Sequence, residues 1–172
     1  MEYTKHKLPE DMQIFLTNLK EYIELPLYFY GSIQREDYNP GKSDIDVDIF
    51  AENTHSTITK MQNFLNVDKT QFIKIVIKPL KKTGIINGYK LKYEEPENKL
   101  ATEFSIYDIK YKDEILYEHG RKIQLPFIIS TLLIILKFLY YNIGIIPKNA
   151  FLQIKNFIMD LVDDGYKGFV SF

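Results

Sequence analysis

The sequence predicts an α+β domain built on a mixed β-sheet, and three observations support this fold class. The chain has 172 residues, a length typical of one domain. Hydrophobic residues make up 45% and charged residues 26%, a globular mixture that excludes disorder throughout. Helix and strand periodicities follow one another without strict alternation. We therefore expect a single domain over 1–172, with the sheet and its helices in about 1–112 and a helical tail in about 113–172.

The first helix and the first strand are bounded by prolines and a glycine. Pro9 suits the first turn of a helix, the apolar residues after it recur at helical spacing, and Pro26 ends the pattern. Residues 27–30 form a short apolar run that Gly31 and Ser32 stop, which is typical of a buried strand.

The middle of the chain predicts a second strand, a second helix and a third strand. Residues 43–50 alternate polar and apolar side chains, which indicates a strand with one apolar and one acidic face. Ser56 can cap a helix over 57–67. An apolar run at 72–77 predicts a strand, and a glycine-containing turn is expected at 83–88.

The last part of the chain is expected to hold two strands followed by helices. The strands are predicted at 89–93 and 101–109, and the helices at 113–118, 125–141 and 147–162, with Gly165 and Gly168 after the last helix. The most apolar run breaks at Lys137 after twelve residues, whereas a membrane-spanning helix needs about 20. Because the first nine residues carry charges and no apolar run, no signal peptide is expected either. We expect a cytoplasmic protein with no membrane partner.

The composition excludes several kinds of functional site. The chain has no cysteine, so a disulfide scaffold, a thiolate zinc site and a cysteine nucleophile are all excluded. The three histidines are spread too widely to form a metal cluster. A net charge of −1 argues against a protein built around a strongly basic nucleic-acid surface, although local patches of lysine remain.

One predicted strand carries an acidic face. Asp44, Asp46 and Asp48 alternate with apolar residues, so their carboxylates project to the same side. Three like charges in a row repel one another unless a cation neutralises them. A hard divalent ion such as Mg²⁺ suits them, because it takes carboxylate oxygens and leaves positions for water and phosphate. The alternative is a solvated edge strand whose charges oppose aggregation, and this strand alone does not decide between the two.

The segment 31–49 adds a second part to this motif. Gly31 and Ser32 close an apolar strand, and after eleven further residues Asp44 and Asp46 stand on the next strand. This arrangement resembles the signature of the DNA polymerase beta-like nucleotidyltransferase superfamily. The resemblance implies a mixed-sheet nucleotidyltransferase palm with flanking helices and a short C-terminal helical segment. It also implies an enzyme that transfers a nucleoside monophosphate from an NTP to a hydroxyl group.

The resemblance implies a role for each residue of the motif. In-line displacement at phosphorus needs cations at the attacking and departing oxygens, and two ions about 3.5–4 Å apart serve both. Asp44 and Asp46 would hold Mg²⁺ or Mn²⁺. Gly31 lets the backbone approach the triphosphate, and Ser32 can donate its hydroxyl and backbone N–H to phosphate. Arg35 lies where small repair polymerases of the superfamily place an arginine, so it either contacts phosphate or is a surface charge.

The superfamily usually adds a third carboxylate from a later strand, and this chain offers two candidates. If Phe104 and Ile106 are buried, Glu103 lies on the face of the acidic pair, whereas Asp108 points to the core side or lies at a strand end. Glu103 is therefore preferred as the catalytic and metal-binding residue. Asp108 remains the rival, because a one-residue bulge would exchange the two faces. A glutamate is a departure from the usual aspartate.

A weaker resemblance lies in the tail. Residues 132–139 are similar to a helix of noncanonical poly(A) and uridylyl transferases in which a Leu-Lys pair puts an ammonium on the triphosphate. This implies that Lys137 binds the NTP; the alternative is a helix-end lysine whose stem packs along apolar surface. Residues 142–151 lack the Gly-Gly and Ser-Tyr loop of those enzymes, so their base selection is not implied.

The acceptor and the partners stay open. The acceptor hydroxyl can belong to the 3′ end of RNA or DNA, to a small molecule or to a protein side chain. The chain is shorter than most members of the superfamily, so a partner protein could supply substrate binding. The rival interpretation is a noncatalytic nucleotide-binding or antitoxin-like module that retains the fold.

Overall fold

The structure is a computed structural model that describes residues 2–79, 84–94, 101–162 and 170–171. The strands are β1 (Tyr28–Tyr30), β2 (Ile45–Ala51), β3 (Ile73–Ile77), β4 (Ile86–Glu94), β5 (Ala101–Asp108) and β6 (Val170–Ser171). The helices are α1 (Glu10–Ile23), α2 (Thr54–Leu65), α3 (Lys112–Arg121), α4 (Phe127–Phe138) and α5 (Lys148–Asp160). A 3₁₀ turn, Gly31–Gln34, follows β1 directly.

The described strands form one mixed sheet in the order β1-β2-β5-β4-β3-β6. β2 and β5 run parallel, and every other neighbouring pair is antiparallel. A parallel pair needs a long connection between its strands; here the connection contains α2, β3 and β4. The predicted α+β class with a mixed sheet is therefore confirmed.

One face of the sheet holds the main hydrophobic core. The apolar positions of β2, Ile45, Val47 and Ile49, are all fully buried there, as the alternating pattern predicts. Helices α1 and α2 cover this face with side chains at helical spacing, which include Met12, Leu16, Leu19, Ile58 and Met61. The side chain of Asn53 accepts a hydrogen bond from the backbone N–H of Ser56. Asn53, and not Ser56, therefore caps α2, which begins three residues earlier than predicted.

The other face of the sheet is only partly open. Near the carboxyl end of β2, Phe50 packs with Tyr28, Tyr107 and Ile115 of α3 in a second apolar cluster. Asp48 is completely buried beneath it. The acidic face predicted for this strand is therefore restricted to its beginning, where Asp44 and Asp46 lie.

The turn predicted at 83–88 is wrong from residue 86 onward, because β4 begins at Ile86. Residue 83 lies outside the described residues, and Gly84 and Ile85 precede the strand. Gly88 is a strand residue opposite Tyr107, and a Cβ atom at Gly88 would lie 2.5 Å from the Tyr107 ring. The glycine is therefore there to admit a neighbouring aromatic ring and not to turn the chain.

The tail forms a helical hairpin. Its two helices pack through Ile129, Leu133, Leu136, Phe151 and Ile158. The predicted helix over 125–141 is shorter, because α4 changes to a π-helical turn at Leu139–Ile143, which ends at Gly144 with φ 73°. None of the helices in the described parts of the chain is long and apolar enough to cross a membrane. Gly165 and Gly168 lie outside the described residues.

Candidate active site

The sheet register brings two predicted site residues together. Asp46 of β2 is directly opposite Glu103 of the parallel strand β5, and on its other side it is opposite Tyr30 of β1. Phe104 is fully buried in the main core, so Glu103 projects to the same side as Asp46. Asp44 comes one residue before β2 and is exposed. Carboxylates from two strands therefore meet at the start of β2.

A glycine is required beside this carboxylate pair. Gly31 has φ +69°, and a Cβ atom at Gly31 would lie 1.9 Å from Oδ2 of Asp46. Both the backbone conformation and the close approach exclude an ordinary side chain. Ser32 follows within the same 3₁₀ turn and is buried. The turn after β1 and the carboxylate of Asp46 thus form one contiguous structure.

The electrostatics of Asp46 show an excess of negative charge. Burial, followed by repulsion from Glu103 and Asp44, raises the pKa of Asp46 to about 7. The ammonium groups of Lys155 and Lys90 oppose this shift and do not cancel it. Asp46 therefore holds a proton at neutral pH more readily than an ordinary aspartate does, unless a further cation is nearby.

Glu103 has cationic partners of its own. Lys90 Nζ lies 2.5 Å from Glu103 Oε1, and Lys92 Nζ lies 3.3 Å from Glu103 Oε2. Burial alone would raise the pKa of Glu103, but these two lysines hold it below its ordinary value. Both lysines come from β4, the strand next to β5.

The rival carboxylate is far from this position. Asp108 is at the last position of β5, opposite Ala51, and its Oδ1 accepts a hydrogen bond from the backbone N–H of Lys110. Its Oδ2 lies 2.9 Å from Lys110 Nζ. These hydrogen bonds lower the pKa of Asp108. The structure therefore brings Glu103, and not Asp108, to Asp46.

Arg35 and Lys137 meet at a buried aspartate that sequence reasoning did not single out. Arg35 Nε lies 2.7 Å from Asp37 Oδ1, and Lys137 Nζ lies 2.9 Å from Asp37 Oδ2. Lys137 also donates to the backbone oxygen of Asp37 at 2.8 Å and to Ser43 Oγ at 3.3 Å. Despite burial, the Arg35 and Lys137 charges hold the pKa of Asp37 at about 2.

The side chains of Arg35 and Lys137 are both buried, which excludes the surface positions considered for them. Arg35 is buried, so it is not a surface charge, and only 4% of Lys137 is exposed, so its ammonium does not reach solvent along an apolar stem. Burial lowers the pKa of Lys137, with Asp37 acting in the opposite direction. The three charged groups join α4 to the segment between the 3₁₀ turn and β2.

Two further side chains near the site are not among the predicted site residues. His119 of α3 places Nε2 2.8 Å from Asp48 Oδ2, and its ring stacks on Tyr30 at 3.9 Å between centroids. Burial raises the pKa of Asp48, and His119 opposes this shift. The alternation of aspartates along β2 pointed to Asp48, but not to its partner, because α3 lies far along the chain.

Lys155 of α5 is the second unpredicted residue. Its charge lowers the pKa of Asp46 and also that of Lys137, so its ammonium lies within range of both groups. Lys155 is half-buried, and among the residues that the structure describes it makes no hydrogen bond or ion pair. Its spacing from Phe151 and Ile158 on the inner side of α5 is the only sequence signal that could have found it.

The carboxylates of the candidate site suit a hard divalent cation, although they are not grouped closely enough to form a metal site by themselves. Across residues 2–79, 84–94 and 101–162, no three His, Asp or Glu side chains are grouped so that they could hold a metal ion. Asp44 and Asp46 nevertheless provide carboxylate oxygens, the ligands that Mg²⁺ and Mn²⁺ prefer. The raised pKa of Asp46 indicates an uncompensated charge that such an ion would neutralise.

Comparison with known proteins assigns the family. Residues 12–146 match the family described as "Nucleotidyltransferase domain". No curated protein and no solved structure matches the chain significantly. The matched segment runs from α1 to the end of the turn after α4 and includes every candidate site residue except Lys155. The chain therefore belongs to the nucleotidyltransferase domain family, consistent with the polymerase beta-like superfamily that its Gly-Ser and Asp-x-Asp motif resembles.

Proposed function

We propose that the chain transfers a nucleoside monophosphate from an NTP to a hydroxyl acceptor in a reaction that depends on Mg²⁺ or Mn²⁺. The observation that carries this proposal is the contact between Gly31 and Asp46. A backbone turn whose N–H groups can donate hydrogen bonds to phosphate oxygens directly adjoins a carboxylate with excess negative charge. A triphosphate with its cation would fit both requirements at once.

Asp44 and Asp46 would hold the cation, with Glu103 beside them. A bound divalent ion supplies charge neutralisation at the attacking and departing oxygens. The acceptor oxygen forms a bond to the α-phosphorus, the bond from that phosphorus to the bridging oxygen breaks, and pyrophosphate leaves. The lowered pKa of Glu103 keeps it ionised at neutral pH, and we assign it as the acceptor of the hydroxyl proton.

The donor side of the site would use Ser32 and Lys155. Ser32 can donate from its hydroxyl and from its backbone N–H to the triphosphate. Lys155 brings an ammonium without an ion-pair partner in the described parts of the chain. We assign Arg35 and Lys137 to a positioning role, because both are already bonded to Asp37.

The test is incubation with Mg²⁺ or Mn²⁺, each labelled NTP in turn, and RNA, DNA or no added acceptor. We expect label transfer or pyrophosphate release by the unmodified chain. The Asp46→Asn variant should reduce the rate by about 10³-fold or more, because it removes a metal-binding charge. Asp108→Asn is the matched control, since it changes a carboxylate on the neighbouring strand that does not contact the site. Equal activity of all three proteins would overturn the metal-site assignment.

A second function is favoured by one specific observation. Glu103 is already paired with Lys90 and Lys92, so the third carboxylate has its charge compensated without a metal ion. A module that binds a nucleotide without transferring it is consistent with this pairing. Calorimetric titration separates the two functions: tight NTP binding with no pyrophosphate release in any acceptor mixture would establish the noncatalytic module.

A further inference from the structure

Helix α4 is apolar on its outer side as well as on its inner side. Its inner residues pack against α5 or reach Asp37, whereas Phe127 is 84% exposed and Ile128 is 71% exposed. Ile134, Ile135 and Phe138 are also exposed on the outer side. A helix that is apolar all round is normally covered on every side. The outer side of α4 therefore leaves an apolar surface uncovered in the single chain.

The spacing of the outer residues is symmetric along the helix. Phe127, Thr131, Ile134 and Phe138 follow one another at intervals of four, three and four residues, which puts them on one stripe. The order of these intervals is the same from either end of the helix. When two copies of α4 pack antiparallel about a two-fold axis, Phe127 meets Phe138 of the second copy, and Thr131 meets Ile134. A self-complementary patch of this kind is what a two-fold dimer requires.

Charge and area both suit a second copy of the chain. The one charged residue of α4, Lys137, points inward and is buried, so two outer sides meet without repulsion. Taking about 200 Å² for a large apolar side chain, α4 can contribute at most roughly 700 Å² of exposed apolar area. This area comes from Phe127, Ile128, Leu132, Ile134, Ile135 and Phe138. This is close to the ~800 Å² per partner of a stable interface.

We propose that a second copy of this chain packs on the outer side of α4, antiparallel and about a two-fold axis. Apolar interfaces of this kind are typical of stable homodimers. The interface is independent of nucleotide transfer, because the side chains named for the active site lie on the sheet, on the segment between β1 and β2, or on the inner sides of α4 and α5.

The first test is the mass of the full chain in solution by sedimentation velocity across a concentration series. We expect twice the mass of one chain. Ile135→Lys should raise the dissociation constant about 100-fold or more, because each dimer would bury two unpaired charges. Ile14→Lys is the matched control: Ile14 is 56% exposed on α1 and Ile135 is 50% exposed on α4. Circular dichroism checks that both variants fold.

The second test is the direction of packing. The chain has no cysteine, so a single introduced thiol reports one distance. Thr131→Cys lies next to the proposed axis and should form a disulfide-linked dimer under mild oxidation. Phe127→Cys lies at the end of the stripe, about 16 Å along the helix from its equivalent in an antiparallel pair, and should not. Cross-linking through Phe127→Cys alone would overturn the antiparallel arrangement.

The proposal is overturned by a monomeric chain at all concentrations. It is also overturned if Ile14→Lys and Ile135→Lys dissociate the dimer equally. A monomer that sediments with phosphatidylcholine–phosphatidylglycerol vesicles would assign the outer side of α4 to a lipid surface instead.

Discussion

The side chain of Asp46 lies against the backbone of Gly31, and this contact can be tested with a matched pair of glycines. Gly31 and Gly41 have nearly the same positive φ, +69° and +71°, but a Cβ atom at Gly41 would meet nothing within 4 Å. Gly41→Ala should therefore lower the free energy of unfolding by about 1–2 kcal/mol, the cost of the backbone conformation alone. Gly31→Ala should cost more and also displace the Asp46 carboxylate.

Two measurements separate the effects of these variants. Urea denaturation gives the two free energies of unfolding. Titration with Mn²⁺ should show weakened metal binding for Gly31→Ala and unchanged binding for Gly41→Ala. If both variants lose metal binding equally, the contact with Asp46 is not what holds the site together.

The raised pKa of Asp46 makes the stability of the protein depend on pH in a defined direction. The pKa is about 7 in the folded chain and about 3.9 in an unfolded chain. Between these values the folded state binds more protons, so Asp46 destabilises the fold increasingly as pH rises from about 4 to 7. Asp46→Asn does not titrate. It should therefore match the unmodified chain near pH 4 and be more stable at pH 8.

Urea denaturation at both pH values, without divalent cations, measures this difference. Adding Mg²⁺ at pH 8 should stabilise the unmodified chain more than Asp46→Asn, because the variant keeps Asp44 but lacks the buried charge of Asp46. A stability difference that is the same at pH 4 and pH 8 would contradict the assigned pKa.

At the scale of elements, we expect different roles for the lysines of α4 and α5: Lys137 stabilises the fold, and Lys155 binds the triphosphate. Lys137→Ala removes one partner of a buried aspartate and should lower the free energy of unfolding by about 3 kcal/mol. It should leave the KM for NTP nearly unchanged in the folded protein. Lys155→Ala breaks no ion pair among the described residues, so it should change stability by less than about 0.5 kcal/mol. It should raise the KM for NTP.

Steady-state kinetics and thermal denaturation of the two variants test this division. Because Lys137 and Lys155 both belong to the helical tail, each variant serves as the control of the other. A large rise in KM for Lys137→Ala, with unchanged stability, would return the triphosphate contact to Lys137 and support the resemblance to the poly(A) and uridylyl transferases.

Most elements of the fold could be predicted because their signals are local. The alternation along β2 and the prolines around α1 depend only on neighbouring residues. The errors have nonlocal causes. A glycine at position 88 is typical of a turn, and only the contact with Tyr107 of the neighbouring strand explains why it lies in a strand. At the start of α2, two good capping residues stand close together, and the geometry selects Asn53.

The candidate site could be predicted as far as it depends on the family motif and on the rule that alternate residues of a strand point to the same face of the sheet. Gly31, Asp46 and Glu103 come together because β2 and β5 are neighbours with their buried residues in phase. The partners of Arg35 and Lys137 were not predictable. Asp37 and Lys137 are 100 positions apart in the sequence, and no periodicity relates residues so distant.

At the scale of the whole molecule, strands β1 to β5 of the sheet form two locally connected parts. In one part, β1 and β2 pair antiparallel beside α1 and α2. In the other, β3, β4 and β5 form an antiparallel meander. The parallel pairing of β2 with β5 joins the two parts. The candidate active site lies at this junction, with one carboxylate from each side.

The junction has a consequence for how the chain folds. Contacts between residues far apart in sequence form late and slowly, because a long loop must close first. The hairpins on either side can form early, but Asp46 meets Glu103 only when β5 has been synthesised and inserted between β2 and β4. The mutual repulsion of the two carboxylates therefore does not act within either part of the sheet alone, and it opposes only the pairing of β2 with β5. A chain truncated before β5 keeps its Asp-x-Asp motif and has no assembled site.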